Sequence, residues 1–269
     1  MLTLEIVLHR GNRNEINDMS TKIRVGAVSY LNTKPLIYGF EQGMMKHQVE
    51  LVMDYPARIA AALLNDEIDI GLVPVAIIPE MKEYHIISDY CIGCDGEVAS
   101  VGLFSEVPLH QIETVLLDYQ SRTSVKLAQV LINEYWKIDP KIKQGGQDFR
   151  SEIAGTTAAV VIGDRAMEQA TVSAYHYDLG LAWKQYTGLP FVFAAWISNK
   201  QLSPDFIKDF NTANRYGLQQ IEKIVQQHAP APYDLKKYYT EFISYPLTED
   251  KERGLEVFLE KISLVAETI

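Results

Sequence analysis

The chain has 269 residues, 47% of them hydrophobic and 22% charged, which suffices for one large domain or two lobes around a sizeable core. A formal charge of -10 argues against nucleic acid or anionic membrane as a partner, since both call for clustered Lys and Arg, and no such cluster appears. No stretch approaches the roughly 20 consecutive apolar residues of a membrane span, and an anionic metabolite would have to be held by hydroxyls, helix N-termini and one or two cations.

Met1 to Lys22 contains a short apolar piece, Leu2 to Leu8, but lacks the basic start, the longer apolar region and the small-residue cleavage site of a secretory signal. A disordered extension over residues 1–22 is expected, with Met19 as an alternative start, and a cytoplasmic location. From Ile23, strand-like and helix-like segments alternate: Ile23 to Val28 extended, Pro35 to Met45 helical, Val49 to Met53 extended, Pro56 to Leu64 helical, Ile68 to Val73 extended. This alternation predicts a mostly parallel sheet with right-handed crossovers. Pro56 suits a first helical turn, and Asn65-Asp66 closes that helix.

His85 to Asp95 and Glu97 to Phe104 are extended and meet at Asp95-Gly96, which suits a hairpin or a tight bend. Thr114 to Asp118 predicts a strand, Ser121 to Trp136 an amphipathic helix, Ala158 to Ile162 a buried strand, Asp164 to Gln169 a short helix and Phe191 to Trp196 a third strand. These make a second, smaller lobe. From Ser203 the chain turns helical, to about His228, then over Asp234 to Ile243 and Thr248 to Ala266, with Ser203-Pro204 as a start signal.

Nucleophile elbow, P-loop, dinucleotide and zinc-protease motifs are missing. Cys91 and Cys94 form a C-x-x-C, but zinc needs about four ligands and no second pair lies near, so two free thiols near a loop are expected. The six histidines are scattered without metal spacing. The informative segments are loops after strands. Ser29-Tyr30-Leu31-Asn32-Thr33-Lys34-Pro35 brings hydroxyls, an amide and backbone N–H groups to a helix start, as plain capping or as an anion site. Asp118 to Ser124 places three hydroxyls and a guanidinium at another; capping needs one hydroxyl, so Ser121, Arg122, Thr123 and Ser124 are expected to bind a carboxylate. Asp95, Gly96 and Ser100 lie in a crossing, where Gly96 serves either the turn or a close approach to ligand. Gly163-Asp164 ends a strand and caps a helix, while Asp178 either orients a cleft group or caps the helix from Leu179.

The segments R-V-G-A-V-S-Y-L-N-T-K-P-L, I-D-I-G-L-V-P-V, C-I-G-C-D-G-E-V-A-S-V, D-Y-Q-S-R-T-S, V-I-G-D-R-A-M and Y-D-L-G-L-A-W-K-Q-Y-T-G-L-P-F-V-F-A-A-W follow one another from Arg24 to Trp196. As a set they resemble the chorismate dehydratases of the futalosine route to menaquinone. The resemblance implies an α/β, type II periplasmic-binding-protein-like fold: two lobes with mixed, mostly parallel sheets and a helical C-terminal part. Lobe I would span 23–104 plus 197–269 and lobe II 105–196, with the ligand in the cleft between them.

It further implies a cofactor-independent hydro-lyase without a metal, converting chorismate to 3-((1-carboxyvinyl)oxy)benzoate and water. Neither nucleic acid nor membrane would be a partner, and the chain would be a monomer or homodimer. On this reading Asn32 and Ser100 are catalytic. Ser29, Tyr30, Asp95, Gly96, Ser121, Arg122, Thr123, Ser124, Gly163, Asp164 and Asp178 would bind the substrate. No Asp, Glu or His is an obvious base, so the substrate's enolpyruvyl carboxylate would take the proton. The alternatives are a 1,4-dihydroxy-6-naphthoate synthase-like enzyme of the same pathway and a solute-binding protein for a small carboxylated metabolite. The S-Y-L-N-T-K-P opening and the S-R-T-S loop favour the dehydratase.

Overall fold

The computed structural model describes residues 22–231 and 233–266, so the expected N-terminal extension, Lys22 apart, lies outside the described residues. The chain begins with β1 (Ile23–Val28), whose last four residues are buried, as a strand covered on both faces requires. Next come α1 (Lys34–Glu41), β2 (Val49–Asp54), α2 (Pro56–Leu64) and β3 (Ile70–Pro74). Both β2 and β3 run parallel to β1, and α1 and α2 make the crossovers. α1 ends at Glu41, short of the expected Met45, because Gly43 and Met45 turn the chain with positive φ.

β4 (His85–Cys94) and β5 (Val101–Ser105) do not form the hairpin that Asp95-Gly96 would allow. They belong to different sheets, and residues 95–100 carry the chain from one to the other. β6 (Thr114–Leu117) leads into α3 (Thr123–Val130), which continues as a π-helical stretch, Leu131–Trp136, and stops at Lys137 with φ +53°. β7 (Lys141–Gln144), β8 (Thr157–Ile162), α4 (Asp164–Ala170), β9 (Tyr175–Asp178) and α5 (Leu179–Thr187) follow.

β10 (Phe191–Ser198) then returns to the first sheet, not the second, and lies antiparallel between β3 and β4. The helix expected from Ser203 to His228 is two, α6 (Pro204–Leu218) and α7 (Ile221–Gln227). The chain closes with α8 (Leu235–Lys237), a π-helical turn Tyr238–Phe242, β11 (Ser244–Pro246) and α9 (Glu249–Ala266).

The first sheet has the order β11-β4-β10-β3-β1-β2 and the second β7-β6-β8-β5-β9. Parallel pairing is confined to β2-β1-β3 and β7-β6-β8, and the strands around the crossings add antiparallel ladders. The sheets therefore change between Cys94 and Val101 and again before Phe191, rather than at 104/105 and 196/197.

α6 packs on the first sheet through Phe206, Phe210, Ala213 and Gly217, a stripe of helical period. Phe210 meets the Trp196 ring edge-on at 5.0 Å. Gly39 and Gly217 let α1 and α6 touch: a Cβ on the first would strike the Ala213 carbonyl and one on the second the Pro35 carbonyl. The buried amides are paired: Asn214 accepts from Trp196 Nε1 at 2.8 Å, and Asn211 accepts from Ser88 Oγ at 2.7 Å. Among the described residues no helix is long and apolar enough to cross a membrane.

Candidate active site

The carboxyl ends of β1 and β3, the bend before β5 and the start of α3 line a cleft between the sheets. This is where open α/β sheets ordinarily bind ligands. Its lining combines hydrocarbon from Val28, Leu72, Pro74, Ile92, Phe193 and Ile243 with polar groups from Tyr30, Asn32, Ser100, Gln120, Ser121, Thr123 and Ser124. A second, more polar pocket shares Tyr30, Asn32, Gln120 and Gly163 and adds Asp164, Arg165 and Tyr238. A flat ring with polar substituents suits such a mixed lining.

Ser100 is aimed by a strained turn. Ala99 sits at φ +61°, a conformation costly for a residue with a Cβ, and the Ser100 N–H bonds back to the Val98 carbonyl at 2.7 Å. Asp178 holds this turn, accepting from Ala99 N at 2.8 Å and Val98 N at 3.1 Å, and it caps α5 through Leu181 N at 2.9 Å. Burial pushes the Asp178 carboxyl up, with these backbone donors pulling the other way. On the far side, Gly163 N donates to the Ser100 carbonyl at 2.7 Å. Gly163 has φ +66° and ψ −150°, a region open in practice only to glycine.

At the start of α3, Ser121 Oγ accepts from Ser124 N at 3.1 Å, which is the capping bond. Thr123 Oγ accepts from Ala76 N at 3.3 Å and so ties the helix to the segment after β3. Below them Asp118, fully buried, accepts from Arg165 at 2.7 and 3.0 Å and from the backbone of Gln120 and Ile162. Arg165 also donates to Gln120 Oε1 at 3.0 Å, and the Tyr30 hydroxyl donates to the same oxygen at 3.2 Å. Burial pushes the Tyr30 hydroxyl up, so it remains a neutral donor.

Four tyrosines of the C-terminal part brace the cleft from behind. Tyr239 donates to the Leu31 carbonyl at 2.8 Å, Tyr245 to the Asn32 carbonyl at 3.0 Å, Tyr238 to Ser100 Oγ at 2.9 Å and Tyr233 to Asp164 at 2.6 Å. Burial raises all four hydroxyls far above the working range, which keeps them protonated.

The structure thus gathers Tyr30, Asn32, Ser100, Ser121, Thr123, Ser124 and Gly163 on the cleft and Asp164 on the adjoining pocket. It places the other named residues elsewhere. Arg122 is outside, its side chain 42% exposed and paired with both oxygens of Glu80 at 3.1 Å. Asp95 is exposed and paired with Lys184 at 2.6 Å, and Gly96, at φ +118°, serves the bend. Ser29 faces solvent, and Asp178 braces the turn without lining the cleft. Cys91 and Cys94 are free and buried, and burial raises the Cys91 thiol to about 11 and Cys94 further, so neither is a ready thiolate. Sequence reasoning passed over Gln120 and Arg165, both inside quoted motifs, and the tyrosines, whose one signal was their density from Tyr233 to Tyr245.

A family model for menaquinone biosynthesis matches residues 23–263. The chorismate dehydratase of Thermus thermophilus is 27% identical over 268 residues, covering 89% of this chain and 95% of that protein. Among solved structures, a protein from Archaeoglobus fulgidus aligns with a TM-score of 0.70 at 15% identity, over 93% of this chain and 100% of that one. The periplasmic aliphatic sulphonate binding protein SsuA of Escherichia coli aligns at 0.59 and 13% identity, over 92% of both chains. A Candida albicans protein with the generic periplasmic binding protein fold also aligns at 0.59 and 13%, over 90% of both. These structural likenesses establish the fold, which is that of the periplasmic binding proteins.

Proposed function

Because the chain belongs to the menaquinone biosynthesis family, we propose that it is a chorismate dehydratase, a cytoplasmic hydro-lyase that turns chorismate into 3-((1-carboxyvinyl)oxy)benzoate and water. The observation that carries this reading is the meeting of Asn32 and Ser100 on one cleft that has a hydrocarbon lining and the hydroxyl-rich start of α3. The ring lies against the hydrocarbon lining. Ser121, Thr123 and Ser124 take one carboxylate, and Arg165, the cation among the residues lining the adjoining pocket, takes the place expected of Arg122 in drawing the other.

The chemistry asks for a proton to leave the ether-bearing ring carbon and for the neighbouring hydroxyl to depart. Conjugation with the ring carboxylate acidifies that proton, and the charge grows on the carboxylate, where donors fixed beforehand stabilise it without rearranging. Among the described residues lining the main cleft there is no Asp, Glu, His or Lys, and Asp164 on the adjoining pocket is engaged by Tyr233. The substrate's enolpyruvyl carboxylate therefore takes the proton, oriented by Asn32 and Ser100, and passes it to the departing hydroxide. One C–H and one C–O bond break, a ring double bond forms, and water carries away both the proton and the oxygen.

The test is incubation of the purified protein with chorismate, followed by chromatography and mass analysis. A product lighter by one water supports the reading. Tight chorismate binding without turnover would point to a solute-binding protein or a related enzyme, and neither binding nor turnover would overturn chorismate as the substrate.

A further inference from the structure

Among the four bracing tyrosines Tyr238 has a different task. Tyr239 and Tyr245 hold backbone carbonyls and Tyr233 an exposed carboxylate, whereas the Tyr238 hydroxyl holds the Ser100 side chain, beside a pocket that Asn32 also lines. Tyr238 donates to Ser100 Oγ at 2.9 Å. The direction of that bond matters. A serine hydroxyl owns one proton, and when its oxygen accepts from Tyr238 that proton is left to point at the ligand. The ring is 3% exposed and packs edge-on against Tyr233 at 5.5 Å, so the hydroxyl has little freedom to leave this bond.

We propose that Tyr238 is a positioning residue of the dehydration, fixing Ser100 as a hydrogen-bond donor to the substrate. This rests on the dehydratase reading of the cleft. It gives the C-terminal segment, which lies beyond the quoted motifs, direct leverage on the reacting groups.

The experiment compares the full chain with Tyr238→Phe, Ser100→Ala and the double variant, with chorismate as substrate. Tyr238→Phe should lower kcat by about 10- to 100-fold while KM moves less than about threefold. The double variant should be no slower than Ser100→Ala by more than about twofold, because a donor without its acceptor has nothing to align. Multiplying losses, or a kcat untouched by Tyr238→Phe, would overturn the proposal.

Incorporation of 3-fluorotyrosine at 238 supplies a variant that preserves packing while strengthening donation. It should shift kcat with an unchanged Tm, and an unchanged kcat would count against the proposal. Should the unaltered chain leave chorismate intact, the dehydratase reading and this role fall together; turnover by the unaltered chain with indifferent variants removes Tyr238 alone.

Discussion

The two ends of the first sheet are built from opposite chemistry. At the end where β1 and β3 begin, Asp69 accepts from the Arg24 backbone at 2.8 Å, from the Arg24 side chain at 3.1 Å and from Lys200 at 2.7 Å, and Asn199 closes the group onto Asp66 at 2.7 Å. Charges there are matched to charges. At the end where the same strands finish, Tyr30, Asn32, Ser100 and Tyr238 offer neutral hydroxyls and amides, beside Arg165, which pairs with buried Asp118. An ion cluster already satisfied has nothing left for a ligand and serves stability, whereas neutral donors held in place remain available to a charge that appears only during a reaction.

The largest effect should come from breaking the neutral end. Asn32→Ala is expected to lower kcat for chorismate by about 100-fold or more with little change in KM, read from steady-state kinetics; a large loss of binding with normal kcat would remove Asn32 from catalysis. The ionic end should answer in stability instead. Burial works to raise the Asp69 carboxyl, but the hydrogen bonds from Arg24 and Lys200 outweigh it and hold it down at about 2. A folded pKa below the unfolded one stabilises the protein above about pH 4, and the contribution is lost as pH falls towards 2.

Asp69→Asn should therefore cost about 2 kcal/mol at neutral pH in denaturant titration, and its Tm gap from the unaltered chain should close below pH 4. A gap independent of pH would show that the ion cluster is not its source. The smallest effect is expected at Arg122, which the sequence placed with the site and the structure ties to Glu80 on the surface. Arg122→Gln should change KM by less than about twofold, since exposed ion pairs contribute little; a tenfold rise would return Arg122 to the ligand.

Local pattern carried much of this protein. The alternation from Ile23 to Val73, the Ser203-Pro204 helix start and the buried runs of β8 and β10 are repeated decisions of neighbouring residues, and a pattern of period 2 or 3.6 exposes them. β7, β9 and β11 escaped it because they are three or four residues long, and β7 lies wholly exposed at an edge. Loops after strands could be read as a site, since a parallel sheet sends those loops to one end, and Asn32, Ser100, Ser121, Thr123 and Ser124 line the cleft.

Which charged neighbours joined them was a matter of direction in space. Arg122 and Arg165 stand in equally plausible motifs, yet one is drawn outward by Glu80 and the other inward by Asp118. The hairpin at Asp95-Gly96 failed for a similar reason, because Asp178, far along the chain, captures Val98 and Ala99 and sends the strand into the other sheet. The sequence by itself determined the family, the class of fold and the loops that carry the site. Only the tertiary structure decided that Tyr238 holds Ser100, because a hydrogen bond between residues so distant in the chain depends on how the whole backbone closes and leaves no local periodicity to read.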